Sequence, residues 1–392
     1  MPCGQDQFSS TDTRRTAAVV GRARERRVGR CADWVRRCAA ATVTLFVVPV
    51  AVADVTEPIK PIPAYSVVDR AKAELGERLF HDTRLSKDDT VSCATCHDLK
   101  RGGDDGRRVS EGVGGALGAV NSPTVFNVVY NFKQFWDGRA ETLEEQIDGP
   151  VQSAVEMGSL WPDVIATLYR DETYPSQFTA IYADGITRDN VKETLAEFMR
   201  SLTTPGSRFD AWLAGNSEAL DAQELRGYDL FKSYGCASCH QGANVGGNMF
   251  QTFGVLNDYF TRRGKITDAD RGRFNVTGNE ADMHAFKVPS LRMAAHTAPY
   301  LHDGRAETLR DAIDIMFEFQ LGREAPDADK EAIEAFIRTL AGNWERPRTV
   351  ERPRTRQSLR SARAPIVERP RTAPSAPPES PPVRRGPTRG GR

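Results

Sequence analysis

Residues 93–97 read Cys93-Ala94-Thr95-Cys96-His97, and residues 236–240 read Cys236-Ala237-Ser238-Cys239-His240. Two thiols at this spacing reach the two vinyl groups of one porphyrin, and the histidine that follows takes the iron, the signature of c-type haem attachment. A single copy would also suit a zinc-type CxxC followed by a chance histidine. Two copies, with no other cysteine between or after them, predict two covalently bound haem c groups held by Cys93, Cys96, His97 and by Cys236, Cys239, His240.

The chain balances 53 basic against 53 acidic residues, which hides a segregation. Residues 1–53 carry nine arginines against four acids and residues 345–392 thirteen against four, leaving 31 basic and 45 acidic residues between 54 and 344. The acidic body favours a basic protein partner, and no nucleic-acid partner is expected. Residues 1–53 read as a signal or targeting segment: arginines, then an apolar run over 39–52 that ends in Ala51-Val52-Ala53. That run is shorter than the roughly 20 residues a bilayer span needs and is broken by Pro49. Cys3, Cys31 and Cys38 leave with the segment, the remaining four are used by haem, and a periplasmic location is expected. In 345–392, Glu-Arg-Pro-Arg-Thr begins at Glu345, Glu351 and Glu368 among Pro, Ser and Gly. This composition predicts a disordered tail, with anionic membrane or the acidic body as its possible contacts.

The body reads as mainly α. Apolar periodicity predicts helices over 66–80, 189–202, 221–234 and 328–340, whereas 101–119, with seven glycines, predicts a flexible loop. One stretch recurs: Pro123-Thr124-Val125 with Asp137-Gly138-Arg139-Ala140-Glu141-Thr142-Leu143 matches Pro289-Ser290-Leu291 with Asp303-Gly304-Arg305-Ala306-Glu307-Thr308-Leu309 at the same internal separation. With a CxxCH ahead of each copy, the pattern predicts two cytochrome c-like haem domains, 54–205 and 206–344, arising from an internal duplication. His97 lies 26 residues before Pro123 but His240 lies 49 before Pro289, so the second unit carries an insertion near 249–279.

Together with the two motifs, Asn121-Ser122-Pro123-Thr124, Gln134-Phe135-Trp136-Asp137-Gly138-Arg139, Glu156-Met157 and Thr297-Ala298-Pro299-Tyr300 followed by Met316 give residues 65–342 a specific likeness. The body resembles the bacterial di-haem cytochrome c peroxidases, a superfamily that includes the methylamine-utilisation protein MauG. The resemblance implies reduction of hydrogen peroxide at an open N-terminal haem on His97. Electrons from a small donor, a cytochrome c or cupredoxin, enter through the C-terminal haem. It implies that Glu156 moves protons between the peroxide oxygens. On composition alone, Glu156 is an ordinary acid. The likeness further implies that Gln146 hydrogen-bonds the peroxide, that Trp136 stands between the haems, that Met316 is the sixth ligand opposite His240, and that His302 belongs to the haem surroundings. Asn121 with the main-chain oxygens of Thr297 and Pro299 matches the family's calcium site. A homodimer is allowed.

One position departs from the pattern. Members that need reductive activation carry a loop histidine sixteen residues after the first haem histidine; here Val113 stands there, and no histidine occurs between His97 and His240. An N-terminal haem open when fully oxidised is the expectation. A MauG-like oxidase acting on a protein side chain and a non-catalytic di-haem electron carrier are the alternatives.

Overall fold

The computed structural model describes residues 57–63 and 68–344. The targeting segment 1–53 and the tail 345–392 fall outside the described residues. Among the described residues no helix is long and apolar enough to cross a membrane.

Two helix pairs carry the body. Helix Arg70–Phe80 starts where Asp69 accepts a hydrogen bond from the Lys72 amide, and buries Ala73, Leu75, Gly76, Leu79 and Phe80. It packs on helix Arg188–Ser201, whose buried face includes Val191, Leu195, Phe198 and Met199. In the second half, helix Ala222–Ser233, capped by Asp221, packs on helix Asp327–Arg338. Three lie within a residue or two of the predicted spans, and the first, beginning at Arg70, ends at Phe80 as predicted.

Each pair crosses at a glycine. A Cβ on Gly76 would stand 2.2 Å from the Thr194 carbonyl oxygen, and one on Gly227 would stand 1.9 Å from that of Ala332. Backbone faces backbone at both points, so a side chain is accommodated only by moving a helix axis. Gly227→Ala is therefore expected to lower stability by about 1–3 kcal/mol through overpacking. A shift of the denaturation midpoint at constant slope measures this; an unchanged midpoint would show that the helices separate freely.

Around these pairs lie two large apolar clusters. One draws on residues 75–202 with Met293; the other draws on Ile59 and on 209–340, centred on Phe209, Tyr228, Phe231 and Phe336. Strand structure among the described residues is confined to Phe250–Thr252 paired antiparallel with Ala285–Lys287. The predicted insertion contributes Tyr259 and Phe260 to a third small core, completed by Phe286 and Phe319, against Trp136. The loop 101–119 is pinned by short backbone bridges, Asp98 with Asp104 and Glu111 with Leu117.

The repeated stretch has the same local structure in both copies. Antiparallel bridges pair Gln134 with Ala140 and Tyr300 with Ala306. Phe135 and Leu301 both take the left-handed region, at φ 68° and 72°. Thr142 and Thr308 then cap the next helix by accepting from the Glu145 and Asp311 amides. Strain of this kind persists only where surrounding structure enforces it. In each copy it aims the next side chain, Trp136 or His302, inward.

Candidate di-haem site

Cys93–Cys96 form one helical turn, fastened by a 2.9 Å hydrogen bond from the Ser92 amide to the Thr95 hydroxyl. The His97 amide donates to the Cys93 carbonyl at 3.0 Å, and the His240 amide to that of Cys236 at 3.0 Å. Each imidazole is oriented through Nδ1. That of His97 lies 3.2 Å from the Gly103 carbonyl and 3.3 Å from the Ser122 hydroxyl; that of His240 lies 3.3 Å from the Val245 carbonyl. With Nδ1–H donating to a carbonyl, Nε2 keeps its lone pair for a metal. Burial holds both rings below their ordinary pKa, His240 down to about 4, so both are neutral donors. None of the four cysteines is in a disulfide. Thiol pairs, neutral imidazoles and their carbonyl anchors fit two covalently attached haems.

His240 opens into a large apolar cavity that also carries Cys236, Cys239, Leu291, Ile313, Phe317, Ile333 and Met316. Of the four methionines after His240, Met316 alone lines it; Met293 is buried in the first apolar cluster. Met316 stands where helix Leu309–Ile315 widens into a π-helical turn, Met316–Gln320, a distortion common at functional sites.

The opposite wall of the cavity belongs to the first half. Trp136 and Phe135 line it, with Asn121, Thr124 and Phe126. The Trp136 indole donates to the Asn121 carbonyl at 2.9 Å and meets the His302 ring edge-on, centroids 6.4 Å apart. Asn121 is buried. Its amide donates to the His302 carbonyl at 2.8 Å and its side-chain nitrogen to the Arg107 carbonyl at 2.9 Å, which leaves the side-chain oxygen for a cation. Thr297 and Pro299 line the same cavity.

Glu156 sits in the turn after helix Leu143–Gln152, its amide donating to the Ser153 carbonyl at 3.0 Å. Burial pushes its carboxyl above the ordinary value, against the opposing pull of Arg139's charge and a Ser153 hydrogen bond. Its backbone lies against Gly112, which lines one cleft with Ala94 and Thr95 of the first motif. Gln146 projects half-buried from the preceding helix. Val113 donates its amide to the Glu156 carbonyl at 2.8 Å, and its side chain packs on the first apolar cluster. The loop at the position of the family's extra histidine thus lies directly on the Glu156 turn. An open cleft lined by Asp88, Ala94, Thr95, Asp98, Arg101, Arg107 and Glu111 borders this motif.

Two features escaped the sequence reading. Asp270, from the insertion, accepts from His302 Nε2 at 2.8 Å and is forked by Arg263 at 2.6 and 2.8 Å; Arg263 also reaches Asp303 at 2.7 Å. Despite burial, which opposes ionisation, the hydrogen bonds of Arg263 and His302 hold Asp270 well below the usual carboxylate range. Asp270, His302 and Asp303 are close enough to grip a cation, but the Arg263 guanidinium already fills that role. The second feature is Lys287, the last residue of its strand, buried in the wall of the cavity. A lysine closing the apolar run Ala285-Phe286 just before the repeated Pro289-Ser290-Leu291 was the available signal.

The fold and these motifs define a helical protein built for two c-type haems. The family model described as di-haem cytochrome c peroxidase matches residues 70–218. Cytochrome c peroxidase Ccp of Escherichia coli is 48% identical over 287 residues, covering 73% of this chain and 61% of that protein. Cytochrome c551 peroxidase of Nitrosomonas europaea is 43% identical, covering 73% of this chain and 85% of that one. A crystal structure of a MauG-like protein associated with microbial copper homeostasis aligns with a TM-score of 0.64 at 28% identity, over 73% of this chain and 93% of that one. This chain belongs to the di-haem cytochrome c peroxidase family.

Proposed function

We propose that the protein is a periplasmic peroxidase that reduces hydrogen peroxide to water with electrons from a small cytochrome c or cupredoxin. The observation that carries this reading is Glu156, a half-buried carboxylate in the turn that packs on Gly112 and Val113 of the loop following the first haem motif. The bound haems supply iron chemistry that cleaves the O–O bond and takes up the donor's electrons. Glu156 receives a proton from one peroxide oxygen and returns it to the other, the transfer that lets water leave. Gln146 positions the peroxide by hydrogen bonding. Trp136, fixed by the Asn121 carbonyl, couples the peroxide side to the cavity of the C-terminal haem.

His240 and Met316 would hold the iron of that haem, and His97 alone the iron of the other. Calcium is read at Asn121 with the Thr297 and Pro299 carbonyls, tying the two halves beside Trp136. The halves are read as duplicated haem domains, 54–205 and 206–344, and their matching local structure supports that reading. A homodimer, and contact of the basic tail with anionic membrane, complete the reading. A MauG-like oxidase is the second reading, favoured by the likeness to the MauG-like structure. Met316 speaks against it, because thioether ligation suits an electron-storing haem.

The test is peroxide-dependent oxidation of reduced cytochrome c by the purified protein, begun from the fully ferric state. Turnover is expected without prior reduction, because Val113 offers the first iron no ligand. The rate should fall as salt is added, because the acidic body steers a basic donor. A lag removed only by pre-reduction would sink the open-haem reading, and a salt-independent rate the steering.

A further inference from the structure

Among the described residues, the cavity around His240 is lined by no aspartate, glutamate or arginine, and Lys287 is its one charged side chain. The residue is 7% exposed. Its backbone is fixed on both sides: the amide donates to the Trp136 carbonyl at 2.8 Å, and Phe250 is its partner across the strand pair. Among the described residues no hydrogen bond or ion pair reaches the ammonium. Burial alone pushes it down to about 8. A cation held inside a protein without an anion is costly and is retained where something else pairs with it. A haem attached at Cys236 and Cys239 brings two propionate carboxylates, the only anions its binding adds to this apolar space.

We infer that Lys287 is the counter-ion of a propionate of the C-terminal haem, positioning that haem beside Trp136 and raising its reduction potential. The inference rests on the reading that this cavity holds the C-terminal haem. A positive charge near the macrocycle disfavours the more positive ferric state, so removing it lowers the potential. Lys287→Met keeps an unbranched side chain of similar volume and removes the charge; Lys287→Arg keeps the charge.

Spectroelectrochemical titration of the full-length holoprotein reads the effect. At fixed ambient potential the ferrous-to-ferric ratio of the C-terminal haem should fall about tenfold in Lys287→Met, equivalent to about 59 mV for one electron. Lys287→Arg should restore most of it, and the N-terminal haem should not move. An unchanged potential in Lys287→Met, or an equal fall in Lys287→Arg, overturns the proposal. Resonance Raman propionate-bending bands of the unmutated protein give an independent reading: bands of two solvated, unpaired propionates overturn it without any variant. Both measurements are made without turnover, so loss of peroxidase activity would count against the proposed function and leave this result standing.

Discussion

With Glu156 replaced by glutamine, peroxide turnover is expected to fall by roughly 100 to 10,000-fold, the range that positioned proton transfer supplies. Glutamine keeps the shape and can still hydrogen-bond, but it cannot take up a proton and give it back. The turn itself is held by main-chain bonds, from the Glu156 amide to Ser153 and from the Val113 amide to the Glu156 carbonyl, so the exchange leaves the scaffold in place. Both haems should remain attached, and the variant should still accept electrons from reduced donor. The pH profile adds a second readout. Peroxide must meet an ionised base, and burial raises the carboxyl above its ordinary pKa. The acid limb of kcat/KM should therefore lie above the usual glutamate range, activity falling as pH drops through it, and that limb should vanish in the variant. Less than a tenfold loss would leave Glu156 incidental and assign the proton transfer to another group.

What the sequence disclosed was what is local. Haem attachment needs five consecutive residues, and both copies form a short helical turn followed by a carbonyl-anchored histidine. Helices were legible because their apolar period is a property of a dozen neighbouring positions. The repeated stretch announced a common local structure, and the bridges and capping threonines follow it in both halves. The cavity was not legible in this way, because its walls come from both halves and from the insertion. Asp270 and His302 are 32 residues apart, joined by a carboxylate–imidazole bond that no spacing rule anticipates. Gly76 and Gly227 look like weaknesses in their helices until the facing carbonyls of Thr194 and Ala332 are seen. Lys287 is the sharpest case. Composition would place a lysine on a solvated face, yet it is buried where a bound group has to supply its partner.

Met316→Leu is expected to act on the other haem and to produce the largest change in potential. Leucine preserves packing at a usual cost below about 1.5 kcal/mol, so the helix and its widened turn should persist. On the proposed ligation, loss of the thioether removes the ligand that favours ferrous iron. The potential of the C-terminal haem should drop by a sizeable part of the roughly 0.8 V that axial ligation spans, and its ferric spectrum should gain high-spin character. Peroxide turnover with a cytochrome c donor should then stall, because the donor can no longer reduce the site that Trp136 adjoins, while the N-terminal haem keeps its spectrum. Met283→Leu serves as the control: Met283 lies outside the cavity, so its removal should leave potential and spectrum unchanged. If Met316→Leu leaves both unchanged while Met283→Leu alters them, the sulfur ligand has been misassigned, and the cavity around His240 closes differently once haem is bound.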